Sequence, residues 1–255
     1  MKETILAVLL FAAAVTAYVA LYLNTNSHPY LAALLISLWN VAGNSVCGAS
    51  LVSANRAVTA AHCWYDGNFQ AREITVVLGS RYLLSGGQRI STSRVFMHPQ
   101  WNTANLRNDI AVIYLPRNVQ FSNQVQPIAL PSGSMLYESF AGSWAMAAGF
   151  GKTNDQQAGA STIMSDGEPA GDFGGELPGG VRAHRRSVQH TICTSGSGRV
   201  GVCSGDSGGP LFIVRNGQRV LIGVTSFAAS NACQQGHPSG FARVTSFNNF
   251  IRSHM

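Results

Sequence analysis

Apolar residues in this chain come in short runs rather than long stripes. Tyr30–Leu38, Cys47–Val52, Ala57–Thr59, Ile74–Leu78, Ile110–Leu115, Trp144–Phe150, Leu211–Val214, Val220–Phe227 and Gly240–Val244 are rich in Val, Ile, Leu and aromatics, and Gly, Asn, Pro or Ser bound them. Short runs with such borders read as strands. Arg215-Asn216-Gly217-Gln218 predicts a hairpin turn, because Asn-Gly accepts the positive φ that a two-residue connection demands. Only the tail changes period: Ser246–Ile251 predicts an amphipathic helix with Phe247, Phe250 and Ile251 on one side. Glycine at 27 positions and charged residues at 11% fit many short strands and turns rather than long solvated helices. The pattern predicts an all-β protein, two barrels or a sandwich, closed by a terminal helix.

Two segments break that pattern. The chain starts with Lys2, an apolar run Ile5–Val15 and the small residues Val15-Thr16-Ala17, which read as an export signal over residues 1–17. Because Tyr18–Leu23 stays apolar, a membrane anchor is the rival reading, at a length borderline for a span of about 20 residues. The second break, residues 166–190, carries a Gly/Pro/Arg bias with almost no apolar periodicity. It reads as a disordered loop or as text from a shifted reading frame.

Charge and cysteine content narrow the classes. The formal charge is +6, but the arginines are scattered, so a nucleic-acid surface is not expected. Of 17 basic residues only Lys2 and Lys152 are lysine. Arginine keeps its proton far above the lysine pKa of about 10.4, so an alkaline working fluid is expected. Five cysteines in an exported chain suggest disulfides plus one left over.

Three motifs carry chemistry. Gly205-Asp206-Ser207-Gly208-Gly209-Pro210 precedes an apolar strand, and its glycines would let a carbonyl substrate approach Ser207. Thr59-Ala60-Ala61-His62-Cys63 ends a strand with a histidine, and Asn108-Asp109-Ile110-Ala111-Val112 opens one with a carboxylate. Each alone is commonly structural. Together, in the order His, Asp, Ser, they match one of the known triad orders. By contrast, Gly196-Ser197-Gly198-Arg199-Val200-Gly201 fits a dinucleotide fingerprint but runs into the Ser207 loop instead of opening a helix. The other histidines show no ligand spacing, so no metal is expected.

On these motifs, with His98-Pro99-Gln100-Trp101-Asn102, Gly149-Phe150-Gly151 and Phe241-Ala242-Arg243-Val244, the chain resembles the chymotrypsin-like serine proteases, and within them the digestive chymotrypsins and collagenases of insect larvae, over about His28 to Arg252. The resemblance implies two six-stranded antiparallel Greek-key β-barrels with a C-terminal helix, in a domain at 28–255, with the catalytic site in the cleft between the barrels. It implies Ser207 as nucleophile, His62 as general base, Asp109 as the carboxylate behind it, and the N–H groups of Gly205 and Ser207 as an oxyanion hole. The specificity pocket falls on Gly201, Ser226, Ala228 and Ser239. An uncharged Gly201 floor implies preference for apolar or aromatic residues, with Ala228 narrowing the slot toward Leu. Disulfides are implied between Cys47 and Cys63 and between Cys203 and Cys233. That leaves Cys193 over, because its usual partner would fall in 166–186, which holds no cysteine.

The same resemblance implies a secreted monomer acting in a digestive lumen on proteins and peptides. Protease inhibitors are implied as further partners, with no cofactor, no nucleic acid and no membrane in the mature form. One feature departs from the family: residues 18–27 contain neither an Ile-Val-Gly-Gly start nor a basic activation residue. Asp206, which an N-terminal ammonium normally pairs, is then expected to lack a partner and to leave the active arrangement poorly populated. A non-catalytic, binding-only homologue is therefore the alternative function.

Overall fold

The computed structural model describes residues 28–152, 164–171, 189–195, 201–229, 233 and 235–255, the side chains of 164–171 excepted. The expected signal peptide, the segment 18–27, residues 172–188 of the anomalous stretch and the glycine-spaced run 196–200 lie outside the described residues.

Thirteen strands form two antiparallel bodies among the described residues. The first contains β1 (Leu31–Leu38), β2 (Asn44–Ser53), β3 (Arg56–Thr59), β4 (Ala71–Leu78), β5 (Gln88–Thr92), β6 (Val95–Met97) and β7 (Ala111–Tyr114). Their order across the sheet is β5-β4-β1-β2-β3-β7-β6. Its two edges, β5 and β6, are separated only by Ser93 and Arg94. They amount to one bent strand that carries the chain from one edge to the other, so the sheet curls almost shut. Seven strands stand where six are expected because this bend interrupts the pairing. The second body is a closed barrel of β8 (Ser143–Gly149), β9 (Met164–Gly171), β10 (Thr191–Thr194), β11 (Pro210–Arg215), β12 (Gln218–Phe227) and β13 (Ser239–Arg243).

The Asn216-Gly217 turn joins β11 to β12 with both residues at positive φ, 52° and 75°. Asp166–Gly171, read from the sequence as the start of a loop, lies instead in β9, which pairs with β8 through seven registered positions and then meets β10. Backbone groups of β8 need partners whatever the local side chains prefer, and this pairing closes the barrel.

A helix, α1 (Val244–Arg252), ends the chain and begins two residues before the expected start. It buries Val244, Phe247, Asn248 and Ile251, a spacing of three and four that fixes one face. Asn248 earns its burial by accepting a hydrogen bond from Arg252 Nε at 3.1 Å. No helix among the described residues is long and apolar enough to cross a membrane.

The core is divided unevenly. One cluster fills the second barrel around Ile192, Leu211, Ile222 and Phe241. The larger one fills the first body and continues onto the outside of the second through Phe212, Leu221 and Val224, then onto α1 through Phe247 and Ile251. The junction between the bodies is thus packed as core, which fixes the cleft between them.

Candidate active site

His62 sits in a single 3₁₀ turn, Ala61–Cys63, at the end of β3. Ala60 and Ala61 are fully buried, and their small side chains let the turn lie inside the fold. The Cys47–Cys63 disulfide, 2.06 Å between sulfurs, ties the turn to β2. Asp109 precedes β7 and is 1% exposed. Its Oδ1 accepts the His62 main-chain N–H at 2.9 Å, and its Oδ2 meets His62 Nδ1 at 2.7 Å. Ser226 Oγ, from β12 of the other body, also donates to Oδ2. Three donors satisfy a buried carboxylate and leave the imidazole one orientation, with Nε2 free of Asp109. Burial alone would lower the His62 pKa. The hydrogen bond and charge of Asp109, with the more distant charge of Asp66, outweigh it and raise the pKa above the ordinary histidine value.

Ser207 lies in the turn before β11, between Gly205 (φ 101°) and Gly208 (φ 79°). The glycine at 208 is required by contact as well as by φ. A Cβ there would fall 2.2 Å from Thr59 Oγ1 and 2.4 Å from the Gly48 carbonyl. Gly48 N donates to Ser207 O at 2.6 Å, and Thr59 Oγ1 donates to Gly48 O at 2.8 Å. The Ser207 loop therefore rests backbone to backbone on β2, on the body that carries His62. Among the described residues the main-chain N–H groups of Gly205 and Ser207 donate to no protein acceptor. Nor is Ser207 Oγ hydrogen-bonded to His62, a contact that commonly tightens only with substrate present.

The expectation that Asp206 lacks a partner is corrected. Its buried carboxylate accepts from Gly151 N at 2.7 Å and from Cys203 N at 2.9 Å. Gly149-Phe150-Gly151 explains how it fits: a Cβ on Gly149 would lie 2.0 Å from Asp206 Oδ1, and one on Gly151 would lie 2.5 Å from its Cγ. Two glycines open a recess, and the main chain supplies the donors.

Beside Ser207 an open cleft of about 230 Å³ is lined by Cys203, Thr225, Ser226, Phe227 and Ala228. The Cys203–Cys233 disulfide borders it. Gly201 and Ser239 adjoin the cleft without lining it. A Cβ on Gly201 would stand 3.1 Å from Ser239 Oγ, which accepts the Val202 N–H at 3.2 Å. Cys193 lies mid-strand in β10, opposite Gly171 and Gly240, and belongs to neither disulfide. Cys47, His62 and Cys63 bring their ligand atoms within 4.8 Å of one another. Both sulfurs are spent in the disulfide and His62 Nδ1 is held by Asp109, so this group offers no thiolate site. The Ser226 hydroxyl on Asp109 and the glycine recess for Asp206 were not anticipated. The glycine pair was visible in the sequence, whereas no local signal marks the Ser226 contact.

A histidine backed by a buried carboxylate on one curled sheet, with a glycine-flanked serine at the start of a strand of the other, is the arrangement expected of a serine endopeptidase of the chymotrypsin fold. The chain belongs to the trypsin family, whose model matches residues 23–251. It is similar to a collagenase of Hypoderma lineatum, 34% identical over 89% of this chain and 83% of that protein. It is likewise similar to brachyurin of Leptuca pugilator, 31% identical over 89% and 93%. A solved HL collagenase structure superposes with a TM-score of 0.78 at 33% identity, covering 90% of this chain and 94% of the other.

Proposed function

We propose that this endopeptidase cleaves through Ser207, His62 and Asp109 and prefers apolar or aromatic residues before the scissile bond. Ser207 Oγ attacks the peptide carbonyl carbon while its proton passes to His62 Nε2. The N–H groups of Gly205 and Ser207 hold the resulting oxyanion. His62 returns the proton to the leaving amine, and a water repeats the sequence to free the acid and restore Ser207. Asp109 keeps the imidazole in place and stabilises its charged form.

The observation that carries this reading is the clasp on Asp109, which draws donors from both bodies onto one buried carboxylate behind His62. The substrate pocket is assigned to the cleft beside Ser207, with Ser226 and Ala228 on its wall and Gly201 and Ser239 toward its floor. A floor without a carboxylate favours uncharged side chains. The enzyme is secreted as a monomer and digests proteins in a lumen, where inhibitors that mimic substrate also meet it. Two disulfides suit an oxidising compartment.

The test is labelling of the purified secreted protein with a serine-directed fluorophosphonate, beside N-terminal sequencing and assays on Phe, Leu and Arg peptides. Labelling is expected, abolished by Ser207→Ala, with Phe or Leu substrates cleaved faster than Arg. Failure to label, or a preference for Arg, overturns the reading.

A further inference from the structure

Thr225 in β12 is 3% exposed, and its Oγ1 is a buried hydroxyl with no hydrogen-bond partner. Its main chain is tied to the nucleophile loop: Gly208 N donates to Thr225 O at 2.8 Å, and Thr225 N donates to Gly209 O at 2.9 Å. The neighbouring Val224 packs in the large cluster between the bodies. Successive strand residues face opposite ways, which turns Thr225 to the other side, where it lines the cleft with Ser207, Ser226 and Ala228. The hydroxyl of Ser226 is committed to Asp109, and that of Ser207 to the chemistry. Thr225 Oγ1 is the buried hydroxyl of this wall that remains to be satisfied; a turn about χ1 would bring it from its covered position to the cleft, where a ligand could supply its partner.

We propose that Thr225 is a specificity residue that makes the inner wall of the pocket hydrogen-bonding, so that the enzyme cleaves after the neutral amides Asn and Gln as well as after apolar residues. A hydroxyl can donate or accept, and a side-chain amide offers both roles. Among the described residues no ionisable side chain lines the cleft to neutralise a charged one. The inference rests on the assignment of this cleft as the substrate pocket.

The experiment uses fluorogenic peptides that differ only in the residue before the scissile bond, comparing Asn with its near-isostere Leu and Gln with Met. Thr225→Val keeps the shape and removes the hydroxyl. It is expected to lower the Asn:Leu ratio of kcat/KM about three- to tenfold, the range for one neutral hydrogen bond. Thr225→Ser should hold the ratio near that of the parent. Should Thr225→Val not be secreted folded, Thr225→Ala carries the same comparison. Equal ratios in parent and Thr225→Val, or a Thr225→Ser protein that behaves like Thr225→Val, overturn the proposal while leaving the pocket assignment standing. A parent that cleaves none of the Leu, Met or Phe peptides overturns the pocket assignment, and this inference with it.

Discussion

Protonating His62 and using it as a base pull in opposite directions, and Asp109 sets the balance. Because the folded pKa of His62 is raised, the charged imidazole contributes stability that is fully present below the unfolded value of about 6.5 and is lost as pH rises through the folded pKa. Activity needs the neutral ring, so it appears as that contribution disappears. The acid limb of kcat/KM is expected above pH 6.5. Asp109→Asn should move the limb down and cost about four orders of magnitude in kcat, since the amide no longer favours the required tautomer. A limb at or below pH 6.5 in the parent would contradict this account. His28 shows the opposite sign. Burial, with the charge of Arg219, pushes its pKa down to about 4. Its neutral ring sits against Tyr30 and Phe212, with Nδ1 3.1 Å from the Tyr30 hydroxyl. Stability tied to this depressed pKa is lost as pH falls from about 6.5 to about 4. In His28→Phe, the difference in denaturant-derived stability between pH 7.5 and pH 4.5 should shrink by about 2 to 3 kcal/mol.

Among the elements, those that were legible in the sequence are the ones whose burial is written into their own side chains. β1 and the inner parts of β2, β4 and β12, at Cys47–Val52, Ile74–Leu78 and Val220–Phe227, carry mostly apolar or small residues, and the Asn216-Gly217 turn announces itself. β5 was missed because only Ile90 and Thr92 of its five residues are buried. β9 and β10 exist because a barrel edge required them, which local pattern does not encode. The residues proposed as the triad stand in recognisable motifs for a different reason: glycine and alanine are forced around them by close contact, and forced residues make motifs. Gly149 and Gly151 show how strict that forcing is. Gly151→Ala places a methyl where the Asp206 carboxylate stands, 2.5 Å from its Cγ. Asp206 would have to leave Gly151 N and Cys203 N, and the Ser207 turn would move with it. Fluorophosphonate labelling should slow at least 100-fold, the scale of losing one oxyanion donor, while far-UV circular dichroism stays that of a β protein. An unchanged labelling rate would show that the recess does not govern the site.

At the scale of the whole molecule, the disposition of charge is the feature that the active site does not explain. The formal charge is +6, the only lysines are Lys2 and Lys152 among 17 basic residues, and acidic residues number 11. Several guanidiniums are used for geometry as well as charge. Arg56 lies 3.8 Å over the Tyr114 ring and donates to the His254 carbonyl at 2.7 Å. Arg243 donates to the Ser139 and Thr191 carbonyls, and Arg89 to those of Leu83 and Gly86. A lysine in these places would lose its charge near pH 10.4 and could not present the same planar fork. These contacts should therefore persist well above that pH. Once His62 is neutral it stays neutral as pH rises, so kcat/KM is expected to stay flat from the top of the His62 limb to about pH 10, with Tm falling little over that interval. Replacing Arg56, Arg89 and Arg243 together by lysine should leave the neutral-pH profile recognisable and bring the alkaline loss of Tm down toward pH 10. A parent whose activity peaks near neutral pH and collapses above it would sever the link between arginine content and an alkaline working fluid.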